Sequence, residues 1–84
     1  MARLLYFASL AETLGTRSED MTLPDDCATV TALTRLLRQR GQPYDSAFDG
    51  ETRILVAINQ EMSDPEAEIR DSDEIAFFPP VTGG

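Results

Sequence analysis

Eighty-four residues, 42% of them hydrophobic, supply one compact core and no material for a second, because a chain this short buries only about two-thirds of its unfolded surface. No apolar run approaches the roughly 20 residues that cross a bilayer, and the short apolar start at residues 4–7 is too brief for a secretory segment, so a folded cytoplasmic protein is expected. Fifteen acidic residues against seven basic ones leave a net charge of −8, which argues against nucleic acid or an anionic membrane as a partner and suits either solubility or faster encounter with a basic protein surface.

Taken in chain order, residues 3–8 are apolar and aromatic, which suits a buried strand. Residues 9–14 predict one or two helical turns, with Ser9 as N-cap, Glu12 at the capping-box position and Gly15 as the stop. A weaker second strand is expected over residues 19–23, closed by Pro24. The clearest helix starts at Thr29, whose hydroxyl can cap free N–H groups, and carries Val30, Leu33 and Leu37 on one stripe with Leu36 beside them. Gly41 is its expected end, and Arg35, Arg38 and Arg40 are expected on its solvated face. Residues 54–58 form a β-branched run suited to a central strand, with Asn59 able to take a positive φ in the turn that follows. Glu61 and Met62 read as a brief edge strand, residues 65–69 as irregular, and Asp71-Ser72-Asp73 as a tight turn before a last strand over residues 74–78. In that strand Ile75 and Phe77 share one face, Ala76 and Phe78 the other.

Strands with a single sizeable helix predict an α+β arrangement, a mixed sheet covered on one face. This is the order of a ubiquitin-like β-grasp, here a domain over residues 1–78 with a flexible tail over residues 79–84.

Chemistry-bearing residues are sparse. Every basic side chain is arginine, and the absence of lysine and histidine removes the ordinary general base, the Schiff-base amine and the imidazole ligand. Cys27 is single, so neither an internal disulfide nor a multi-cysteine metal site is expected; a reactive thiol lowered by the following helix weighs less than a small, half-buried packing residue. Asp71, Asp73 and Glu74 lack the spacing of a calcium loop, and Gly15, Gly41 and Gly50 form no phosphate cradle. No metal and no cofactor is expected on this chain, any nucleotide must be held by a partner, and independent enzymatic activity is not expected.

The tail is different. Pro79 and Pro80 cannot donate sheet hydrogen bonds, so the strand must stop at Phe78 and the chain leave in stiff, extended form. Residues 79–84 then reach on the order of 20 Å, enough to enter a neighbouring active site. Gly83 and Gly84 have no Cβ and can pass a narrow channel. Val81 and Thr82 are candidate contacts within it, and Phe78 a candidate interface anchor weighed evenly against an ordinary core aromatic.

The segment Asp73-Glu74-Ile75-Ala76-Phe77-Phe78-Pro79-Pro80-Val81-Thr82-Gly83-Gly84 resembles the C-terminal signature of molybdopterin synthase small subunits. The similarity continues through Tyr6-Phe7-Ala8, the segment from Leu10 to Gly15, the Thr29 helix and Val56-Ala57-Ile58-Asn59-Gln60. Two positions depart from the pattern: Ala11, where arginine often precedes Glu12, and Ser72, where glycine often stands between the aspartates.

The resemblance implies a sulfur carrier whose Gly84 carboxylate is the covalent site. A ubiquitin-activating-like adenylyltransferase would adenylate it with ATP and Mg²⁺, and a sulfurtransferase or cysteine desulfurase would supply the sulfur of a thiocarboxylate. The molybdopterin synthase large subunit, in a heterotetramer of two small and two large chains, would receive the tail and supply the catalytic residues. The alternatives are a carrier for thiamine or cysteine synthesis, a ubiquitin-like protein modifier, or a β-grasp interaction module whose glycine end is never activated.

Overall fold

The computed structural model describes residues 1–50 and 53–80. The elements run β1 (Ala2–Tyr6), α1 (Ala8–Leu14), β2 (Ser18–Met21), α2 (Val30–Arg38), α3 (Tyr44–Ala47), β3 (Leu55–Ile58), β4 (Glu61–Ser63) and β5 (Glu74–Phe78). The five strands form one sheet in the order β2-β1-β5-β3-β4. β1 pairs antiparallel with β2 and parallel with β5, while β3 is antiparallel to both β5 and β4. The strands on either side of α2 in sequence, β2 and β3, therefore run the same way. The mixed α+β sheet is as expected, with one change of place: β5 lies in the middle, and the β-branched run of β3 sits one position out, paired on both sides.

β5 has the bounds and the alternation read from the sequence. Ile75 and Phe77 are buried and Glu74, Ala76 and Phe78 only partly so. The inner face joins Leu4 and Tyr6 of β1 to Ile75 and Phe77, and α2 closes it with Val30, Leu33 and Leu37. An aromatic cluster sits at its heart: Phe77 stacks on Tyr6 with ring centroids 6.2 Å apart and meets Phe48 edge-on at 5.2 Å. Such pairs add about 0.5–1.5 kcal/mol each beyond area burial.

α2 starts as expected, the Thr29 hydroxyl accepting from the Ala32 N–H at 3.2 Å. It ends at Arg38 with Gln39 as C-cap, earlier than Gly41, which takes a φ of 87° in the following turn. α1 departs more. Phe7 is its N-cap and gives no side-chain cap, so Ser9 and Glu12 form no capping box; the strand runs almost directly into the helix and Ser9 already lies inside it. Gly15 does stop α1, in the left-handed region at φ 75°. The short helix α3 had no signal in the sequence.

Asn59 takes a positive φ as expected, and Gln60 follows it, at 51° and 70°, the pair that a tight β3–β4 hairpin needs. Asn59 also ties that hairpin to the start of β5: its side-chain amide donates to Asp73 at 3.0 Å and accepts from the Glu74 N–H at 3.0 Å.

Candidate functional site

Strand alternation leaves the second face of the sheet without a helix. Its side chains fall into rows set by the register. At one end the row is polar: Arg3 lies opposite Asp20 on one side and Glu74 on the other. The middle row is apolar, with Leu5 opposite Ala76, Ala76 opposite Ala57, and Ala57 opposite Met62. At the far end Phe78 lies opposite Leu55 and meets the Phe7 ring edge-on at 6.5 Å. Phe7 is 48% exposed and Met62 63%. The open face thus grades from charged to aromatic towards the end at which β5 hands over to Pro79 and Pro80.

Phe78 is therefore no core aromatic: Phe77 takes that place and Phe78 stands half-buried on the open face. Sequence reasoning missed its companions. Phe7, expected inside a buried strand, lies one residue beyond β1 on the open face, and Leu5, Leu55 and Met62 join it only through the register of four strands. Alternation within each strand could have found them once the strand order was known.

Pro79 and Pro80 are partly buried and outside the strand. Pro79 borders a small surface pocket together with Leu10, Ala47 and Ile54, so the chain has not yet left the domain at that residue. Val81, Thr82, Gly83 and Gly84 lie outside the described residues.

The titratable groups with displaced affinities lie away from this face. Glu19 accepts from both terminal nitrogens of Arg40, at 2.9 and 2.8 Å, and from the Tyr6 hydroxyl at 3.1 Å. The Arg40 guanidinium holds the Glu19 carboxyl below its ordinary value, while burial and the neighbouring Glu19 charge push the Tyr6 phenol far up. Arg40 also lies over the Tyr44 ring, 5.0 Å from its centroid. Arg40 is thus a tie between β2, the end of α2 and α3, where the sequence suggested a solvated cation. Asp71 is held down first by the Leu23 N–H, which donates to it at 2.7 Å, and then by the Met1 amine. Cys27 is 7% exposed and burial pushes its thiol up, the reverse of a helix-activated thiolate.

Residues 4–84 match the ThiS family. The chain belongs to that family. Over the whole of both chains it is 42% identical to the molybdopterin synthase sulfur carrier subunit of Haemophilus influenzae and 34% identical to that of Escherichia coli. The crystal structure of SAMP1 from Haloferax volcanii superposes with a TM-score of 0.74 at 32% identity, covering 99% of this chain and 98% of that one. The resemblance carried by residues 73–84 is thus a family relation, and the ubiquitin-like β-grasp is the family's fold. No helix among the described residues is long and apolar enough to cross a membrane.

Proposed function

We propose that this member of the ThiS family is the sulfur carrier subunit of molybdopterin synthase, working in the cytoplasm through the carboxylate of Gly84. The observation that carries the proposal is positional: the central strand ends on Phe78, inside an open apolar face, and leads straight into Pro79, Pro80, Val81, Thr82, Gly83 and Gly84. A partner that covers Phe7, Phe78 and Leu55 receives the tail at a fixed place and in a fixed direction. Full-length identity to sulfur carrier subunits supports the same assignment.

A free carboxylate resists nucleophiles, so activation comes first. The Gly84 carboxylate attacks the α-phosphorus of ATP, held with Mg²⁺ by a ubiquitin-activating-like adenylyltransferase, and pyrophosphate leaves. A persulfide from a sulfurtransferase or cysteine desulfurase then attacks the acyl carbon and AMP departs. A second thiol takes up the donor's inner sulfur as a disulfide, releasing the thiocarboxylate. The loaded tail enters the large subunit, whose residues direct its sulfur to cyclic pyranopterin monophosphate. In this division of labour the small chain supplies a docking face, the reach of Pro79 and Pro80, contacts from Val81 and Thr82, clearance at Gly83 and the acyl group of Gly84. ATP, metal and catalytic side chains belong to the partners, and the complex is a heterotetramer of two small and two large chains.

The intact mass of the protein isolated from its own cells tests the carrier cycle directly, with one terminal oxygen replaced by sulfur as the expected result. Deleting Gly84 is expected to abolish sulfur transfer and leave the thermal melt unchanged, because chain ends beyond the last strand generally contribute little packing. Full transfer by the truncated chain would overturn the assignment. The likeness to Haloferax volcanii SAMP1, a small archaeal modifier protein, supports protein modification as the competing use. Isopeptide-linked conjugates in place of a thiocarboxylate would favour it.

A further inference from the structure

We infer that the charged end of the open face seats a cation in the docked complex: the Glu74 carboxylate takes a basic side chain of the large synthase subunit, at the end of the interface away from the tail. The inference rests on the carrier assignment, and adds to it the sign of the charge that the partner brings and the place where that charge meets this chain.

Register puts Asp20, Arg3 and Glu74 side by side on β2, β1 and β5, and the polar groups around them are unequally occupied. Asn59 is taken up by β5, its amide donating to the Asp73 carboxylate and its oxygen accepting from the Glu74 N–H, both at 3.0 Å. Asp73 also accepts from the Arg70 N–H at 2.8 Å. The Arg3 guanidinium turns to Asp20, 3.4 Å away, with both side chains more than half exposed. The Glu74 carboxylate, on a partly buried residue of the same row, has no hydrogen-bond or ion-pair partner among the described residues. Two carboxylates thus stand beside one guanidinium, and the row carries one surplus negative charge.

The surroundings of Glu74 give that charge its use. The next outward residue of β5 is Ala76, with Leu5 on one side and Ala57 on the other, so a partner that covers the apolar middle of the face also brings its surface over Glu74. A carboxylate covered without a counter-charge loses its hydration and gains nothing in return. A lysine or arginine opposite it restores the balance; an acidic or apolar group does not. Apolar contact is non-directional, whereas an ion pair ~13 Å from Phe78, four strand steps away, gives the interface one polar and one aromatic end. The net charge of −8 already favours a basic partner at long range, and Glu74 marks where on the face a cation is held.

Dissociation constants for the large synthase subunit, measured at low and at physiological salt, test this. Glu74→Lys is expected to bind about tenfold or more weakly, with a smaller deficit at the higher salt because screening shortens the range of the repulsion. Glu66→Lys makes the same change in net charge on the loop after β4, whose Pro65 carbonyl accepts from Thr31 of α2 and which therefore lies on the helix side. That variant is expected to stay within about twofold of the parent. Glu74→Gln removes the charge at nearly constant shape and is expected to lose about threefold. Arg3→Gln removes the competing cation and frees Asp20, so it is expected to bind about twofold to threefold more tightly. Thermal melts that match the parent confirm that the variants are folded. If Glu74→Lys binds as Glu66→Lys does, the charge acts only through the field of the whole molecule and the inference falls. It falls too if either Glu74 variant binds more tightly than the parent, or Arg3→Gln more weakly. A parent chain that does not bind the large subunit overturns the carrier assignment and this inference with it, whereas a parent that binds with an indifferent Glu74 overturns this inference alone.

Discussion

The two faces of the sheet both carry aromatic and aliphatic side chains, and these have opposite fates. Phe77 and Phe78 are neighbours in one strand, yet Phe77 is 1% exposed between Tyr6 and Phe48, and Phe78 stands on the open side against a Phe7 that is 48% exposed. The difference comes from α2 and α3, which cover one face and leave the other bare. A small domain with one main helix can close only one side of a five-stranded sheet, so apolar residues on the second side mark a surface that something else covers. On the inner face apolar area holds the fold together; on the outer face the proposed function gives it to a partner.

That contrast is sharpest in paired substitutions. Phe77→Ala should cost about 3–5 kcal/mol of folding stability, because it opens a cavity in a packed aromatic cluster. Against the roughly 5–15 kcal/mol typical of a whole domain, this is a large fraction, and chemical denaturation would read it as a lower midpoint. Phe78→Ala should leave folding within about 1 kcal/mol of the parent. Its cost should appear instead in the complex, as a loss of about 2 kcal/mol, or roughly thirtyfold in affinity for the large synthase subunit, chiefly through faster dissociation. If Phe78→Ala unfolds the domain as Phe77→Ala does, or binds like the parent, the division between the faces is wrong.

The strands of this contrast were legible in the sequence because alternation is local. That Ile75 and Phe77 share one face followed from period two, though which face lies beneath the helix did not, and Thr29 announced the helix itself. The strand order was less accessible. A β-branched run looks central wherever it lies, and only the pairing of β5 with both β1 and β3 moves β3 outward. The open face suffered most, since Leu5, Leu55, Ala76 and Met62 come from four strands and meet only through register. The cap of α1 failed for a local reason: the chain turns at Ala8 with a φ of 54°, and no propensity rule expects alanine there. Arg40 was misjudged because Glu19, the carboxylate that accepts from it, is distant in sequence.

The same cluster gives the contrast its smallest and most specific test. Tyr6 is the one inner-face residue of β1 with a polar tip, and that tip emerges at the sheet edge, where Glu19 accepts from it and from Arg40. The Glu19 carboxyl is held below its ordinary value of 4.5, first by Arg40. A carboxyl depressed in the folded state binds fewer protons there than in the unfolded chain, so it contributes stability above its unfolded value and loses it as the pH falls through the folded one. Glu19→Gln should therefore be about 1 kcal/mol less stable than the parent near neutral pH, in the range for a partly exposed ion pair reinforced by hydrogen bonds. As the pH falls below about 4.5, the two proteins should converge, because protonated glutamate and glutamine are both neutral and near in shape. Denaturation midpoints of the pair at several pH values check this. A gap that persists undiminished in acid would mean that Glu19 acts by packing alone, and that the edge of the inner face is sealed without help from its charge.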